Sequence, residues 1–471
     1  MPTRLAILLA MSLLIGCDRP KPPPASRPAG HGWSGPPGPV AVRPFAFADP
    51  DAVILITGGT HGRLEACNCA QPAGGGLASR GGLIASYRAA FGPVWLADAG
   101  DCFWIEPEDP RNAQVLKAYR TLGYDAVVLG DHEWGALPGG LAGMLRAEPM
   151  GYLATNVTAK GGGLPVASAV VCRGARAKVA FVSYLGPSTM GFLGGMIPDK
   201  LDLSGPEAVA RKARELKRDG CVVVLLAHAW EDELPALGGM GEVDLIVRGD
   251  TTASQPRVGT LGGTPMVTVG GPDHVGAVAL KIDKGRIARM DFRLEVVNLD
   301  WPEDPRMVKI FQAYVHQALR SEYDMARAGP FTQRDPASCA ACHAERHQAW
   351  REGPHGRSGR HLAAAGGQAD PDCLMCHTGG YRSAGGFRSF QETPALANVT
   401  CQQCHRFDPQ EQIDRTGKCP PAPKVTKETC ALCHTPRASP DFDFDRCLPK
   451  IACMKVQTAG ATTMRAKETN R

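Results

Sequence analysis

Four copies of one pentapeptide punctuate the last third of this 471-residue chain: Cys339-Ala340-Ala341-Cys342-His343, Cys373-Leu374-Met375-Cys376-His377, Cys401-Gln402-Gln403-Cys404-His405 and Cys430-Ala431-Leu432-Cys433-His434. In Cys-x-x-Cys-His, two thiols about one helical turn apart can bond the two vinyl groups of one porphyrin edge. The His that follows can then turn its imidazole to the iron. Covalent attachment holds the group even where little protein surrounds it. Two zinc knuckles built from the same eight cysteines are the alternative, but zinc does not need a His after every second Cys. The pattern predicts four c-type haems, each stitched to one cysteine pair, with His343, His377, His405 and His434 as proximal ligands. A region of this kind, at residues 333–455, is mostly helical and packs around its cofactors.

Attachment of this type takes place outside the cytoplasm, and the other end of the chain supplies the route. Arg4 precedes an apolar run from Leu5 to Ile15, too short to span a bilayer and of the length of an export signal. The run ends Leu14-Ile15-Gly16-Cys17, which resembles a bacterial lipobox. That resemblance implies removal of residues 1–16, diacylation of Cys17 and anchoring to a membrane on its periplasmic side. An ordinary signal peptide with a chance Cys is the alternative. Asp18 resembles an inner-membrane retention signal, and which membrane is used stays open. Residues 17–48 follow as a tether, with nine prolines between Asp18 and Pro44. Such a composition extends and cannot bury a core.

Residues 49–300 alternate short apolar runs with helical patterns. Val53–Thr57, Val94–Ala97, Ala126–Leu129, Lys178–Val182 and Val222–Leu226 read as buried strands. Leu77–Ala90, Asn112–Leu122 and Pro206–Arg218 read as helices. The alternation argues an α/β layered fold, in which functional groups sit where strands end. His61, Asp98, Asp101, Asp131, His132 and His228 fall at such places. Residues 301–332 read as a helical linker, with Ile310, Tyr314, Leu319 and Tyr323 as its packing face, and 456–471 as a polar tail. The net charge of +5 is scattered, which argues against a nucleic-acid partner.

Thr60-His61-Gly62-Arg63-Leu64-Glu65, Gly75-Gly76-Leu77-Ala78, Asp98-Ala99-Gly100-Asp101 and Leu122-Gly123-Tyr124-Asp125-Ala126-Val127-Val128-Leu129-Gly130-Asp131-His132-Glu133 resemble the 5′-nucleotidase branch of the calcineurin-like metallophosphoesterases. The likeness implies a four-layer αββα sandwich and a two-metal site that hydrolyses phosphate esters. Matched residue by residue, it makes His61, Asp101, Asp131 and His228 metal ligands and His132 an assistant in catalysis. It also exposes departures: Gly59 stands where the family has its first Asp, Asp131 where it has Asn, and Asp250 and Thr252 where it has its closing histidines. Two-metal hydrolysis needs two cations about 3.5–4 Å apart, each with several fixed ligands. What remains suits one divalent metal with mixed N/O ligation better than a pair, and a degenerate site in which His132 and His228 are merely packed near strand ends is the alternative. Cys67, Cys69 and Cys102 lie beside these loops. A thiolate-bearing metal site is one reading of them, and a disulfide such as Cys69–Cys102 is the other, favoured slightly in an oxidising compartment.

The C-terminal region resembles multihaem cytochromes of the c-554 type. The residues that carry this are Cys342-His343 with Trp350 and His355, Cys376-His377-Thr378-Gly379-Gly380-Tyr381 with Gly385-Gly386-Phe387, and Cys433-His434 with Ser439-Pro440-Asp441-Phe442. The likeness implies electron transfer to and from redox partner proteins through haems that are mostly bis-histidine ligated. Four distal histidines are then needed, and the region holds His355, His361 and His347; His316 is a weaker addition. At least one haem is expected to lack a distal His. Arg406-Phe407-Asp408 replaces the family's His after the third motif, and Pro449-Lys450-Ile451-Ala452-Cys453 ends in Cys where His is usual. Cys453 or Met454 can ligate iron, and a disulfide of Cys453 with Cys419 or Cys447 is the alternative. The whole reads as an exported, lipid-anchored tetrahaem electron carrier with a phosphoesterase-like unit. A metal-dependent phosphoesterase with accessory haems, or a reductase of a small nitrogen or sulfur compound, are the rival functions.

Overall fold

A computed structural model describes residues 39–451, apart from 66–75, 192–199, 250–257, 321–331, 365–369, 435–438 and positions 108, 139, 382, 384, 409, 417, 420 and 440. The expectations placed on Cys17, the export signal, Cys67, Cys69, Asp250, Thr252, Tyr323, Cys453, Met454 and the tail lie outside the described residues. The chain divides into two compact units, with the boundary between Tyr314 and Val315.

In the first unit the strands are β1 (Ala52–Thr57), β2 (Val94–Asp98), β3 (Ala126–Val128), β4 (Tyr152–Leu153), β5 (Val157–Ala159), β6 (Val170–Arg173) and β7 (Lys178–Leu185). They continue as β8 (Leu201–Leu203), β9 (Val222–His228), β10 (Leu245–Arg248), β11 (Val258–Leu261), β12 (Thr264–Thr268), β13 (His274–Asp283) and β14 (Arg286–Val296). The helices are α1 (Gly76–Ala90), α2 (Pro110–Leu122), α3 (Asp131–Gly135), α4 (Leu141–Ala147) and α5 (Pro206–Arg218), with α6 (Pro305–Arg320) at its end. One six-stranded sheet runs β14-β13-β1-β2-β3-β4 and a second runs β11-β12-β10-β9-β7-β6. Central strands β1 and β9 are buried along their whole length, as their continuous apolar runs require.

The two sheets share one core. Ile54, Trp95 and Ala97 from the first meet Val179, Phe181 and Val224 from the second. The other face of the second sheet packs on α5, where Val182, Leu225 and Ile246 meet Val209, Ala213 and Leu216. Asp109 caps α2 by accepting from the Arg111 N–H, and Gly123 ends it in the left-handed conformation at φ 77°. The first turns of α6 belong to this unit, with Met307, Ile310 and Tyr314 buried, as the expected packing face required. No side chain is described for Leu319.

The second unit carries α7 (Ala337–Glu352), α8 (Ser358–Ala364), α9 (Pro371–His377), α10 (Cys401–His405), α11 (Gln410–Thr416), α12 (Lys427–Ala431) and α13 (Phe444–Cys447). Its small apolar cluster consists of Leu362, Leu374, Phe387 and Leu396. Few side chains serve as core here. Polar ties do much of the local fixing: the Trp350 indole donates to the Val399 carbonyl, the Ser358 hydroxyl donates to the His377 carbonyl, and Arg334 forks onto Asp408. No helix among the described residues is long and apolar enough to cross a membrane.

Candidate functional sites

The first site lies where β1, β2, β3 and β9 end. The loops after β1 and β2 are zipped together: Gly59 N–H donates to Gly100 O, His61 N–H to Asp101 O and Gly62 N–H to Cys102 O, each at 2.9 Å. His61 (φ 47°) and Asp101 (φ 58°) occupy the left-handed region, which costs a non-glycine residue energy and clusters at functional sites. Close backbone approach sets the geometry. A Cβ on Gly130 would stand 2.3 Å from Asp101 Oδ1, and one on Gly100 would stand 2.6 Å from His228 Nδ1.

His61, Asp101, Asp131, His132 and His228 come together as the sequence predicts. They form two triads whose ligand atoms lie within 4.8 Å of one another, His61–Asp101–His132 and Asp101–Asp131–His228, with Asp101 common to both. His228 Nε2 is 2.8 Å from Asp131 Oδ1 and 3.5 Å from Asp101 Oδ1. His132 Nδ1 is 2.9 Å from the Phe103 carbonyl, which fixes its ring. Gly59 has φ 57°, and a Cβ there would lie 3.1 Å from His61 Nε2, so a larger residue at this position would press on the His61 ring.

Electrostatics follow from burial. Desolvation pushes the Asp101 carboxyl up, but His228, His132 and His61 more than offset it and hold it below the ordinary range. Burial lowers His61, while at His132 the Asp101 charge and the Phe103 carbonyl overcome burial and raise it. A nitrogen–oxygen donor set of this kind fits one divalent cation.

One residue here, Glu133, is not singled out as a site group from sequence, whereas Asp98 is. Glu133 is fully buried and accepts backbone N–H bonds from Gly130 at 2.7 Å, Asp101 at 3.1 Å and Phe103 at 2.6 Å. Burial, and then the Asp101 charge, push its carboxyl up to about 7. Asp98, also buried, accepts from the Thr57 and Tyr119 hydroxyls. Cys102 requires a correction. Its thiol is free and fully buried, and it stands in neither triad, so the Cys69–Cys102 disulfide is not formed. Burial first, and then Glu133, push this thiol well above its ordinary value, which disfavours the thiolate.

The second site is the set of four pentapeptides. Each is held on or at the end of a helix, its two cysteines three residues apart: motif one in the first part of α7, two on α9, three on α10 and four at the end of α12. None of the eight motif cysteines is in a disulfide. The Cys339 thiol is hydrogen-bonded to that of Cys401, which lowers it to about 7, and the Cys433 thiol to that of Cys376. Motif one therefore stands beside motif three, motif two beside motif four, and motif three also beside motif four, since α10 packs on α12 and Cys404 is near enough to Cys433 to act on it.

The motif histidines suit iron. His405 Nδ1 is 3.1 Å from the Pro423 carbonyl, which fixes Nδ1–H and places the lone pair on Nε2. His434 Nδ1 is 3.0 Å from Ser439 Oγ, and its ring stacks on Phe442 at 4.4 Å. His343 leaves the helical conformation inside α7, at φ −132° and ψ 45°, which turns its ring out of the helix line; its Nε2 is 3.4 Å from Cys419 Sγ. Thiol pairs, each followed by an imidazole, are the donor set that c-type haem needs.

Of the distal candidates, His355 faces His434 with ring centroids 6.2 Å apart. Metal–nitrogen bonds of about 2 Å on both faces of one iron require a separation of that order. His347 lies 5.3 Å from the Trp350 ring and lines a cleft of ≈ 620 Å³ with Arg357 and Arg360. His361 is exposed on α8. Nothing is described of the His316 side chain. Cys419 is a free thiol, so it forms no disulfide with Cys453, whereas Cys447 is disulfide-bonded.

Comparison with known proteins agrees with both halves. Residues 338–406 match the family described as Cytochrome c554 and c-prime. Cytochrome c-554 of Nitrosomonas europaea is 26% identical over 148 residues, 25% of this chain and 62% of that one. A snake venom 5′-nucleotidase of Gloydius brevicauda is 32% identical over 158 residues, 31% of this chain and 26% of that one. The chain thus spans about a quarter of the venom enzyme and under two thirds of the cytochrome. A sulfate thiohydrolase, SoxB, of Thermus thermophilus superposes with TM-score 0.51 at 18% identity, covering 59% of this chain and 62% of that one. A 5′-nucleotidase precursor from Thermus thermophilus superposes with TM-score 0.50 at 22% identity, covering 57% and 59%. The molecule joins a metallophosphoesterase-like α/β unit to a cytochrome c554-like helical region.

Proposed function

We propose that the chain is an exported, lipid-anchored electron carrier with four covalent c-type haems, whose phosphoesterase-like unit binds at most one divalent metal and serves for docking or ligand binding. The iron of such a haem takes up and releases one electron, at a potential tuned by axial ligand, burial and local hydrogen bonds. The observation that carries the reading is the set of four thiol pairs, each followed by its imidazole, with motif one against three and two against four. Cys339, Cys342, Cys373, Cys376, Cys401, Cys404, Cys430 and Cys433 fix the groups. His343, His377, His405 and His434 bind from one face, and His355 completes the fourth. Side-by-side attachment sites allow an electron to pass along the order one, three, four, two.

The test is the intact mass and pyridine-haemochrome spectrum of protein matured in a host able to assemble such cytochromes. Four porphyrins per chain support the reading, and a colourless product with no porphyrin mass ends it.

A second reading is a metal-dependent phosphoesterase. Two triads sharing Asp101, with His61 and Asp101 both in the left-handed region, favour it. Turnover of nucleoside monophosphates with manganese or magnesium, lost in His61→Ala and Asp101→Ala, supports this alternative; no turnover leaves the unit as a binding module.

A further inference from the structure

Motif four has an imidazole opposite its own, His355 facing His434, and among the described residues no imidazole is seen opposite that of motif one. Among the described residues, His347 sits by Trp350 and His361 is exposed, and neither is the group seen at His343. The atom facing His343 Nε2 is Cys419 Sγ, at 3.4 Å. Nε2 is the nitrogen through which a Cys-x-x-Cys-His imidazole meets iron. Cys419 is also near enough to both Cys339 and Cys342 to interact with them electrostatically. Three thiols and an imidazole thus converge at one point, two more donors than thioether attachment uses.

We infer that Cys419 is the second axial ligand of the haem carried by Cys339 and Cys342, giving that iron histidine–thiolate coordination. The inference rests on the haem reading above. Metal–nitrogen and metal–sulfur bonds of about 2.0 and 2.3 Å need Nε2 and Sγ roughly 4.3 Å apart across the iron, so the two groups part by about 1 Å as the group enters. Cys419 lies on the segment between α11 and α12, where such a shift disturbs no helix. On binding ferric iron, the Cys419 thiol releases its proton to solvent as the sulfur–iron bond forms, and no electron changes hands. A thiolate donates charge to iron and so favours the ferric form, which makes this haem the hardest of the four to reduce.

The experiment is electron paramagnetic resonance and near-infrared magnetic circular dichroism of the full-length oxidised protein, beside Cys419→Ser and Cys419→His. Porphyrin mass is counted in each. The expected result is one thiolate-ligated low-spin haem of four in the parent. That signal is lost in Cys419→Ser with all four porphyrins retained, and it is replaced in Cys419→His by a bis-imidazole signal with a raised potential. Four porphyrins with no thiolate signal in the parent, or a spectrum that Cys419→Ser leaves unchanged, overturns the ligand assignment alone. A parent without porphyrin overturns the haem reading and this inference with it.

Discussion

Glu133 offers the sharpest test of how the first site is built. Its two carboxyl oxygens accept three buried backbone N–H groups, Gly130 and Asp101 on Oε2 and Phe103 on Oε1. Glu133→Ala leaves all three without an acceptor. At about 1–3 kcal/mol for each orphaned donor, and allowing for shared relaxation, the loss is about 3–6 kcal/mol. Glu133→Gln keeps one carbonyl oxygen and opposes a single N–H with its amide, so it costs about 1–3 kcal/mol. The pH dependence separates charge from shape. The carboxyl is raised from 4.5 to about 7 in the fold. Its contribution is therefore complete below pH 4.5 and is lost as pH rises through about 7, a fall on the order of 3 kcal/mol. Asp101 is held below 3.8, so its own contribution is lost only at more acid pH, whereas His61, lowered from 6.5 by burial, and Asp98, raised from 3.8 by burial, move toward this window and are common to parent and Glu133→Gln, so the difference between the two curves isolates Glu133. Guanidinium unfolding followed at the buried Trp134, with hydrogen exchange of peptide 100–104, reads both effects. The reasoning fails if Glu133→Ala costs under about 1 kcal/mol, or if Glu133→Gln leaves the fall between pH 4.5 and 7 intact.

Four more outcomes follow from named contacts. Gly130→Ala brings a methyl against Asp101 Oδ1, and isothermal titration with manganese or zinc should show divalent binding lost or weakened at least tenfold. On the proposed tetrahaem reading, His355→Ala should turn one low-spin haem of four high-spin without changing porphyrin mass, read by optical and resonance spectra, while His361→Ala, at an exposed position, should change neither. Trp350→Phe removes the indole bond to the Val399 carbonyl and should lower the melting temperature of the helical unit by a few degrees, about 1 kcal/mol. Cys102→Ser should leave divalent-metal stoichiometry unchanged, because the thiol belongs to neither triad.

Much of the α/β unit was legible because its central strands are buried on both faces and read as unbroken apolar runs. Val53–Thr57 and Val222–Leu226 fall inside β1 and β9, and Pro206–Arg218 is α5 to the residue. The hairpin of β13 and β14 was passed over, although Lys284 and Gly285 carry the positive φ of a tight turn and offered a signal. Short strands such as β4 and β8 are set by partners far along the chain, which no local pattern reports. Site residues were legible where they sit in motifs at strand ends: His61, Asp101, Asp131 and His228. Glu133 was hidden because its role is to accept backbone bonds, and acidic residues in loops are common. Cys419 was seen only as a disulfide candidate, since its neighbour His343 lies 76 positions away.

The order in which the four attachment segments touch, first to third, third to fourth and fourth to second, has a consequence for maturation. If the region is exported and loaded with haem as proposed, no contact can close until the third segment is out, and two of the three contacts wait for the fourth. A product ending at position 429 keeps three attachment segments yet only one of these contacts, with its second segment left apart. Loss of the last 42 residues should therefore cut the route to the second segment while sparing that between the first and the third.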